Sequence, residues 1–468
     1  MGSQVQPSAK RWRADPAVIA LTLLAAALAS YRLGTKGLWL DEAVSADHAR
    51  LGLSGLASVI SGRDPNMGLY YLLLHFWVRV FGDSEAAVRS LTVALGALAV
   101  PAIVLLGTRL FGRPAGLIAG LLLATSPFFL HYEQTARSYA LLVTLVVLSS
   151  WLFVAELENH SRWTLVAYVL VSVLAVYTHY FASLVLLVQA LTLVLIRRRQ
   201  AFTREWVGAA LAIVVLCVPE AVFAARAGTG AISWIPAPTI SSLTHLPSSV
   251  AGGSVLAYAL IILACVGLIS AVREGMVWRA GFLAAWTVVP VLLAFIVSRL
   301  GQSVFLPYYL IIVLPPWLLL AGAGLARIPV RAVAIVAGLV VVALGARGIR
   351  DWYDQPSVEG YKSATRYILT HERPRDGIVE YPSGTLRGPT SGIAYYEARA
   401  GTSGPAPVPF SLGHPPGTSS PRTWLVMRDS DVPAGTRVKV EQNLAAAYRP
   451  VGAPRRFTNL TVRLYRLR

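Results

Sequence analysis

Long apolar runs separated by short polar stretches dominate the first 350 positions. Windows of about 20 mostly apolar residues, the length a helix needs to cross a bilayer, recur at roughly 16–33, 88–109, 114–130, 138–155, 163–179, 181–196, 205–225, 249–270, 280–298, 309–326 and 330–348. They predict about eleven membrane-spanning helices. The segment 68–82 (GLYYLLLHFWVRVFG) is shorter and aromatic and carries His75 and Arg79. It reads as a helix lying along the interface rather than a span. After Arg350 the pattern changes. Val358 to Thr370 reads as an amphipathic helix, and Gly377 to Tyr381, Arg422 to Arg428 and Leu460 to Arg466 read as strands. The Pro/Gly/Ser-rich run 401–421 reads as a loop. The expected fold is a polytopic α-helical membrane protein with a small C-terminal α/β domain. Its parts are a tail at 1–15, a membrane domain at 16–349 with a first outer loop at 34–87, and a soluble domain at 350–468.

Composition agrees with the pattern. The 468 residues are 55% hydrophobic and 14% charged, against about 25% charged in soluble domains. The net charge of +18 comes almost wholly from arginine, with lysine only at 10, 36, 362 and 439. With the N-terminus cytoplasmic and 68–82 not spanning, Arg109, Arg113, Arg162, Arg197–Arg199, Arg204, Arg273, Arg279, Arg327 and Arg331 fall on the cytoplasmic side. After the first outer loop, the opposite turns hold few basic residues, Arg137, Arg226 and Arg299, which is the expected bias. A spanning 68–82 would invert every later turn. The C-terminal domain is therefore expected outside the cytoplasm. The arginine-rich usage suggests a bacterial cell membrane. No basic-aromatic surface points to nucleic acid. Cys217 and Cys265 sit in apolar segments and offer neither a disulfide framework nor zinc-type spacing.

Chemistry-bearing residues gather on one set of turns. Gly34 to Tyr71 holds Asp41, Glu42, Asp47, His48, Asp64 and Asn66. Later turns hold His131 to Arg137, then Tyr177-Thr178-His179-Tyr180, then Ser233 to Pro238, then Arg299 to Tyr309. Each has an ordinary reading. Asp41 and Glu42 suit the start of a helix. Asp64 and Asn66 suit an Asx turn. Glu133 and Arg137 are spaced as a helical ion pair. His179 and Tyr180 suit an interface. Their concentration on one side favours function. Adjacent acids on a helix point about 100° apart, so one would be a general base and the other a helper. Asp41, Glu42 and His48 could meet a divalent cation, but they form no convincing ligand set, and no cofactor is indicated.

The series Gly37-Leu38-Trp39-Leu40-Asp41-Glu42-Ala43, Asp64-Pro65-Asn66, Leu69-Tyr70-Tyr71, Phe81 to Glu85 with Arg89, Tyr132 to Tyr139 and Ser233 to Pro238 resembles the GT-C glycosyltransferases. The likeness is to bacterial mannosyltransferases of the protein O-mannosyltransferase-like clan, with lipid A aminoarabinose transferases as more distant relatives. It covers roughly 16–330. It implies a membrane enzyme that takes a sugar, mannose by family habit, from a polyprenyl-phosphate donor to a hydroxyl of a glycan, glycolipid or protein. Asp41 and Glu42 would be the catalytic pair, with Asp41 as base and inversion at the anomeric carbon. Asp64, Asn66, Tyr70, His131, Glu133, Arg137, His179, Tyr180 and Arg299 are the candidate substrate-binding residues. Two positions depart from the family pattern: Met67-Gly68 replaces Pro-Pro, and Tyr308-Tyr309 replaces Arg-Tyr. A transporter without catalysis is the alternative, and a scaffold whose outer domain recruits partners is a third reading.

Overall fold

A computed structural model describes residues 15–196, 201–382, 390–414 and 416–468. Among the described residues, seven helices are long and apolar enough to cross a membrane. An eighth span arises if Arg113–Ala124 and Pro127–Glu133, bent by 61°, count as one. The count of eleven is not confirmed. The windows at 16–33, 163–179 and 181–196 fold as helices of 15, 17 and 15 residues, short of the roughly 20 that a crossing needs. The second of these ends because His179 adopts extended backbone (φ −169°). Gly68–Phe81 forms a helix of 14 residues that buries Tyr70, Tyr71, Leu74 and His75 and exposes Phe76 and Val80. It too is short of a crossing.

The two ends of the helical bundle differ in kind. At one end the arginines are paired locally. Arg109 and Arg279 share Glu158 (3.2 and 3.3 Å), Arg327 meets Glu274 (2.8 Å) and Arg113 meets Asp15 (2.9 Å). Arg197–Arg199, which also entered the charge bias, lie outside the described residues. At the other end the turns at 34–67, 134–138, 179–181, 228–232 and 301–309 converge on one cavity.

The C-terminal domain carries a five-stranded sheet in the order β2-β1-β3-β5-β4. β1 (Gly377–Tyr381) pairs in parallel with β2 (Ala406–Pro407) and β3 (Arg422–Arg428), while β5 (Leu460–Leu467) runs antiparallel to β3 and to β4 (Tyr448–Phe457). β4 was not legible in the sequence. It contains Pro450, Gly452 and Pro454, is mostly exposed, and is bulged between Val451 and Arg455, all features of an edge strand. The helix read at 358–370 forms at Tyr361–His371, and the last membrane helix runs to Asp354.

Helices Ser254–Arg273 and Leu314–Ala326 cross at backbone contact. A Cβ on Gly267 would lie 2.0 Å from the carbonyl oxygen of Leu320, and one on Gly324 2.0 Å from that of Leu263. In lipid, where apolar burial does not distinguish helix from acyl chain, such close packing of small residues holds helices together. Gly324→Val is expected to lower stability by about 1–3 kcal/mol or more through overpacking, read as a lower thermal midpoint in detergent. Gly338→Ala, which meets only the flexible Leu325 side chain at 3.2 Å, should be tolerated.

Candidate active site

The site is built on the helix Leu40–Arg50, whose first turn holds Asp41 and Glu42. Carboxylates suit this position because the amides of a helix N-terminus lack partners. The two acids are used differently. Glu42 is 1% exposed and both its oxygens are taken. Arg89 donates to it twice (2.7 and 2.6 Å), and the amides of Ala136 (2.8 Å) and Trp39 (3.3 Å) complete the set. Arg89 spends its other donors on the carbonyls of Leu33, Lys36 and Gly37. Glu42 is thus a tie between the loop that precedes its helix, the helix Glu85–Ala97 and the 134–138 turn. It does not face the cavity. Asp41, rotated about 100° away, does.

The cavity has a volume of about 160 Å³. The Asp41 carboxylate lies 3.8 Å from the Arg137 guanidinium. Arg137 also donates to the Tyr71 hydroxyl (3.1 Å) and to Ser45 Oγ (3.4 Å), while its Nε has no hydrogen-bond partner. Tyr71 in turn donates to Asp64. Asn66 Oδ1 accepts the Tyr180 amide (3.1 Å), which fastens the first loop to the 179–181 turn. His179 Nδ1 accepts the Phe181 amide (3.2 Å), so the ring proton sits on Nε2, which has no partner. Burial, and then Arg137, pushes the imidazole pKa down to about 3. His179 is therefore a neutral donor and not a cation.

Asp41, Asp64, Asn66, Arg137, His179 and Tyr180 are brought together around the cavity. Other candidates lie elsewhere. The Tyr70 hydroxyl is turned toward Thr92 Oγ1 (2.8 Å). His131 stacks on Trp352 at 3.7 Å, in a separate niche beside Lys36. Arg299 is exposed and donates to the Pro238 carbonyl (3.4 Å), bracing the 233–238 loop. Glu133 is buried against Gly96 and has no ion pair with Arg137. The helix ends at Glu133, so the i, i+4 geometry assumed from spacing never forms, and Asp41 takes that place beside Arg137. Tyr71, Ser45 and Tyr309 were missed. Tyr71 stood in the quoted motif, but which tyrosine of the pair reaches Arg137 and Asp64 depends on helix phase. The Met67-Gly68 departure has a local cause. Met67 is left-handed (φ 97°), where proline cannot go, and a Cβ on Gly68 would come 2.9 Å from Ile60. Among the described residues, no group of three or more His, Cys, Asp or Glu side chains is arranged to hold a metal ion.

Residues 65–223 match the family model described as dolichyl-phosphate-mannose-protein mannosyltransferase. The structure is similar to that of ArnT from Cupriavidus metallidurans bound to undecaprenyl phosphate, with a TM-score of 0.60 at 14% identity over 96% of this chain and 97% of that one. The apo form of the same protein matches with a TM-score of 0.61, the same identity and the same coverage. The chain has the GT-C fold. It is also similar to the Archaeoglobus fulgidus oligosaccharyltransferase in complex with Zn and sulfate, with a TM-score of 0.56 at 12% identity over 93% of this chain and 72% of that one. The sequence has no significant match among curated proteins. Within this GT-C fold, the family-matched segment includes Asn66, Tyr71, Arg137 and His179 and begins after Asp41 and Asp64.

Removing one partner of a buried ion pair strands the other charge and costs about 3–5 kcal/mol. Arg89→Met is therefore expected to lower the thermal midpoint in detergent sharply. Asp41→Asn, which removes only the looser pairing with Arg137 at 3.8 Å, should change it little.

Proposed function

We propose that the protein is a membrane glycosyltransferase that moves a sugar, with mannose the first candidate, from a polyprenyl-phosphate donor to an acceptor hydroxyl. The observation that carries this reading is the pairing of Asp41 and Arg137 across one cavity at the ends of the membrane helices. A lipid-borne phosphate reaches such a place from the bilayer, and the related fold of ArnT holds undecaprenyl phosphate. The acceptor oxygen attacks the anomeric carbon while the bond from that carbon to the phosphate oxygen breaks. Polyprenyl phosphate leaves with the electron pair, and Asp41 takes the hydroxyl proton. A single displacement of this kind inverts the anomeric centre. The leaving phosphate needs charge stabilisation more than a proton, and Arg137 supplies it in a site with little water. His179, being neutral, adds a hydrogen bond through Nε2 but no charge. Asp64 acts through Tyr71, which steadies Arg137. One carboxylate at the reacting centre is enough, unlike the pair used in most glycoside hydrolysis. The acceptor is a glycan, glycolipid or protein, and the site faces the outer side of a bacterial cell membrane.

The test is turnover by the purified protein with a panel of polyprenyl-phosphate sugars, read by mass spectrometry. Asp41→Asn is expected to fold and bind donor but to transfer about 10²–10⁴-fold more slowly, the usual worth of a positioned base. Undiminished transfer by that variant would remove Asp41 from the role. Arg137→Met is expected to lower transfer by about 10²–10³-fold, as for loss of one preorganised charge-stabilising donor.

A further inference from the structure

The amides that lead into the Asp41 helix are held from more than 300 positions away. The Gly37 amide donates to Ser357 Oγ (2.9 Å), the Leu38 amide to the Tyr396 hydroxyl (2.8 Å) and the Leu40 amide to the Glu359 carboxylate (2.8 Å). Leu40 is the first residue of the helix and Trp39, its N-cap, offers no side-chain acceptor. Glu359 therefore satisfies a first-turn amide that has no partner within the helix, and it does so with a charge that suits the positive end of a helix. The carboxylate is 1% exposed, and its other oxygen accepts from Arg428 Nε (2.6 Å) at the end of β3. Burial raises the pKa of Glu359, and Arg428 opposes that rise. An acceptor brought in from another domain, buried and paired with an arginine of that domain's sheet, fixes position more firmly than a flexible surface cap.

We propose that Glu359, seated by Arg428, is a positioning residue for Asp41, so that the C-terminal domain is part of the active-site framework. This rests on the glycosyltransferase reading for its consequence in turnover, but the clamp itself is a statement about the helix. Asp41 follows Leu40 directly, its carbonyl is held within the helix by Ser45 Oγ (2.9 Å), and its carboxylate has only the loose pairing with Arg137 at 3.8 Å. The position of its carboxylate is thus set by where its helix starts. A displacement of about 1 Å at a reacting group costs on the order of 10²-fold in rate.

The experiment uses the full-length protein in detergent with undecaprenyl-phosphate-mannose as donor probe. Glu359→Ala is expected to lower turnover about 100-fold, as for an ångström-scale misplacement, with half-saturation by the donor and affinity for undecaprenyl phosphate little changed. Glu359→Gln, which keeps an oxygen for the Leu40 amide, should recover most of the loss. Hydrogen exchange read by mass spectrometry should speed up over residues 37–41 in Glu359→Ala and to a lesser degree in Glu359→Gln. The control is Asp376→Asn. It breaks another buried pair of the same domain, with Arg422, whose hydrogen bonds go to Asp376 and the His371 carbonyl rather than to the Asp41 helix, and it should leave both turnover and exchange at 37–41 as in the wild type. Unchanged exchange at 37–41 in the Glu359 variants, or an equal loss of turnover in Asp376→Asn, overturns the proposal. Faster exchange in the Glu359 variants of a protein whose wild type transfers no sugar upholds the clamp and sinks the transferase reading instead. If Glu359→Ala does not fold, the comparison of Glu359→Gln with wild type decides by the same criterion.

Discussion

The buried pair of Glu42 and Arg89 is the constraint on which the cavity end of the molecule depends. Both groups are almost wholly shielded from water. A charge in such a place is tolerable only when its hydrogen-bonding capacity is met. Here Arg89 donates to Glu42 and to the carbonyls of Leu33, Lys36 and Gly37, and Glu42 reaches the 134–138 turn as well. The geometry of four separate stretches of chain is therefore set by one ion pair. Moving any of them exposes an unpaired charge. The neighbouring Asp41 takes its direction from this arrangement, because Glu42 on the same turn is held by Arg89 and Ala136, while the start of the helix is held by Glu359.

A second layer of support follows the same logic. The cavity wall is made of residues that hold each other and leave selected atoms open. Asn66 fastens the first loop to the His179 turn, and Asp64 fastens Tyr71. Arg137 Nε and His179 Nε2 remain without partners. In a buried site an unmet donor is costly, so such atoms persist where the surroundings over-determine them. The C-terminal domain contributes at the same end, through Ser357, Glu359 and Tyr396 on the entry to the helix.

Much of this was legible along the chain, for identifiable reasons. A spanning helix must satisfy its own backbone in lipid, so long apolar windows announce themselves, and most of those read between 88 and 348 appear as helices. The windows at 16–33, 163–179 and 181–196 form shorter helices that still expose large apolar side chains such as Leu23, Leu170 and Leu195, so the count of eleven stays unconfirmed. Strands at 377–381 and 422–428 are apolar and flanked by turn residues, and they form with those bounds. β4 was invisible because its edge position allows proline, glycine and arginine. In the site, Asp41, Asp64, Asn66, Arg137, His179 and Tyr180 stood out as polar groups on apolar turns. Glu133, His131, Tyr70 and Arg299 stood out by the same criterion and serve the frame instead.

The sequence by itself determined that this is a helical membrane protein with a small α/β appendage and that its chemistry gathers at one end of the bundle. Those properties follow from hydropathy and charge, which each segment carries alone. Only the tertiary structure decided which acid of the Asp41-Glu42 pair is free and which is spent. It also decided that Arg137 faces Asp41 rather than Glu133, and that Glu359 meets the amide of Leu40. These are contacts between residues dozens to hundreds of positions apart, and no local pattern encodes the direction in which a side chain leaves its helix.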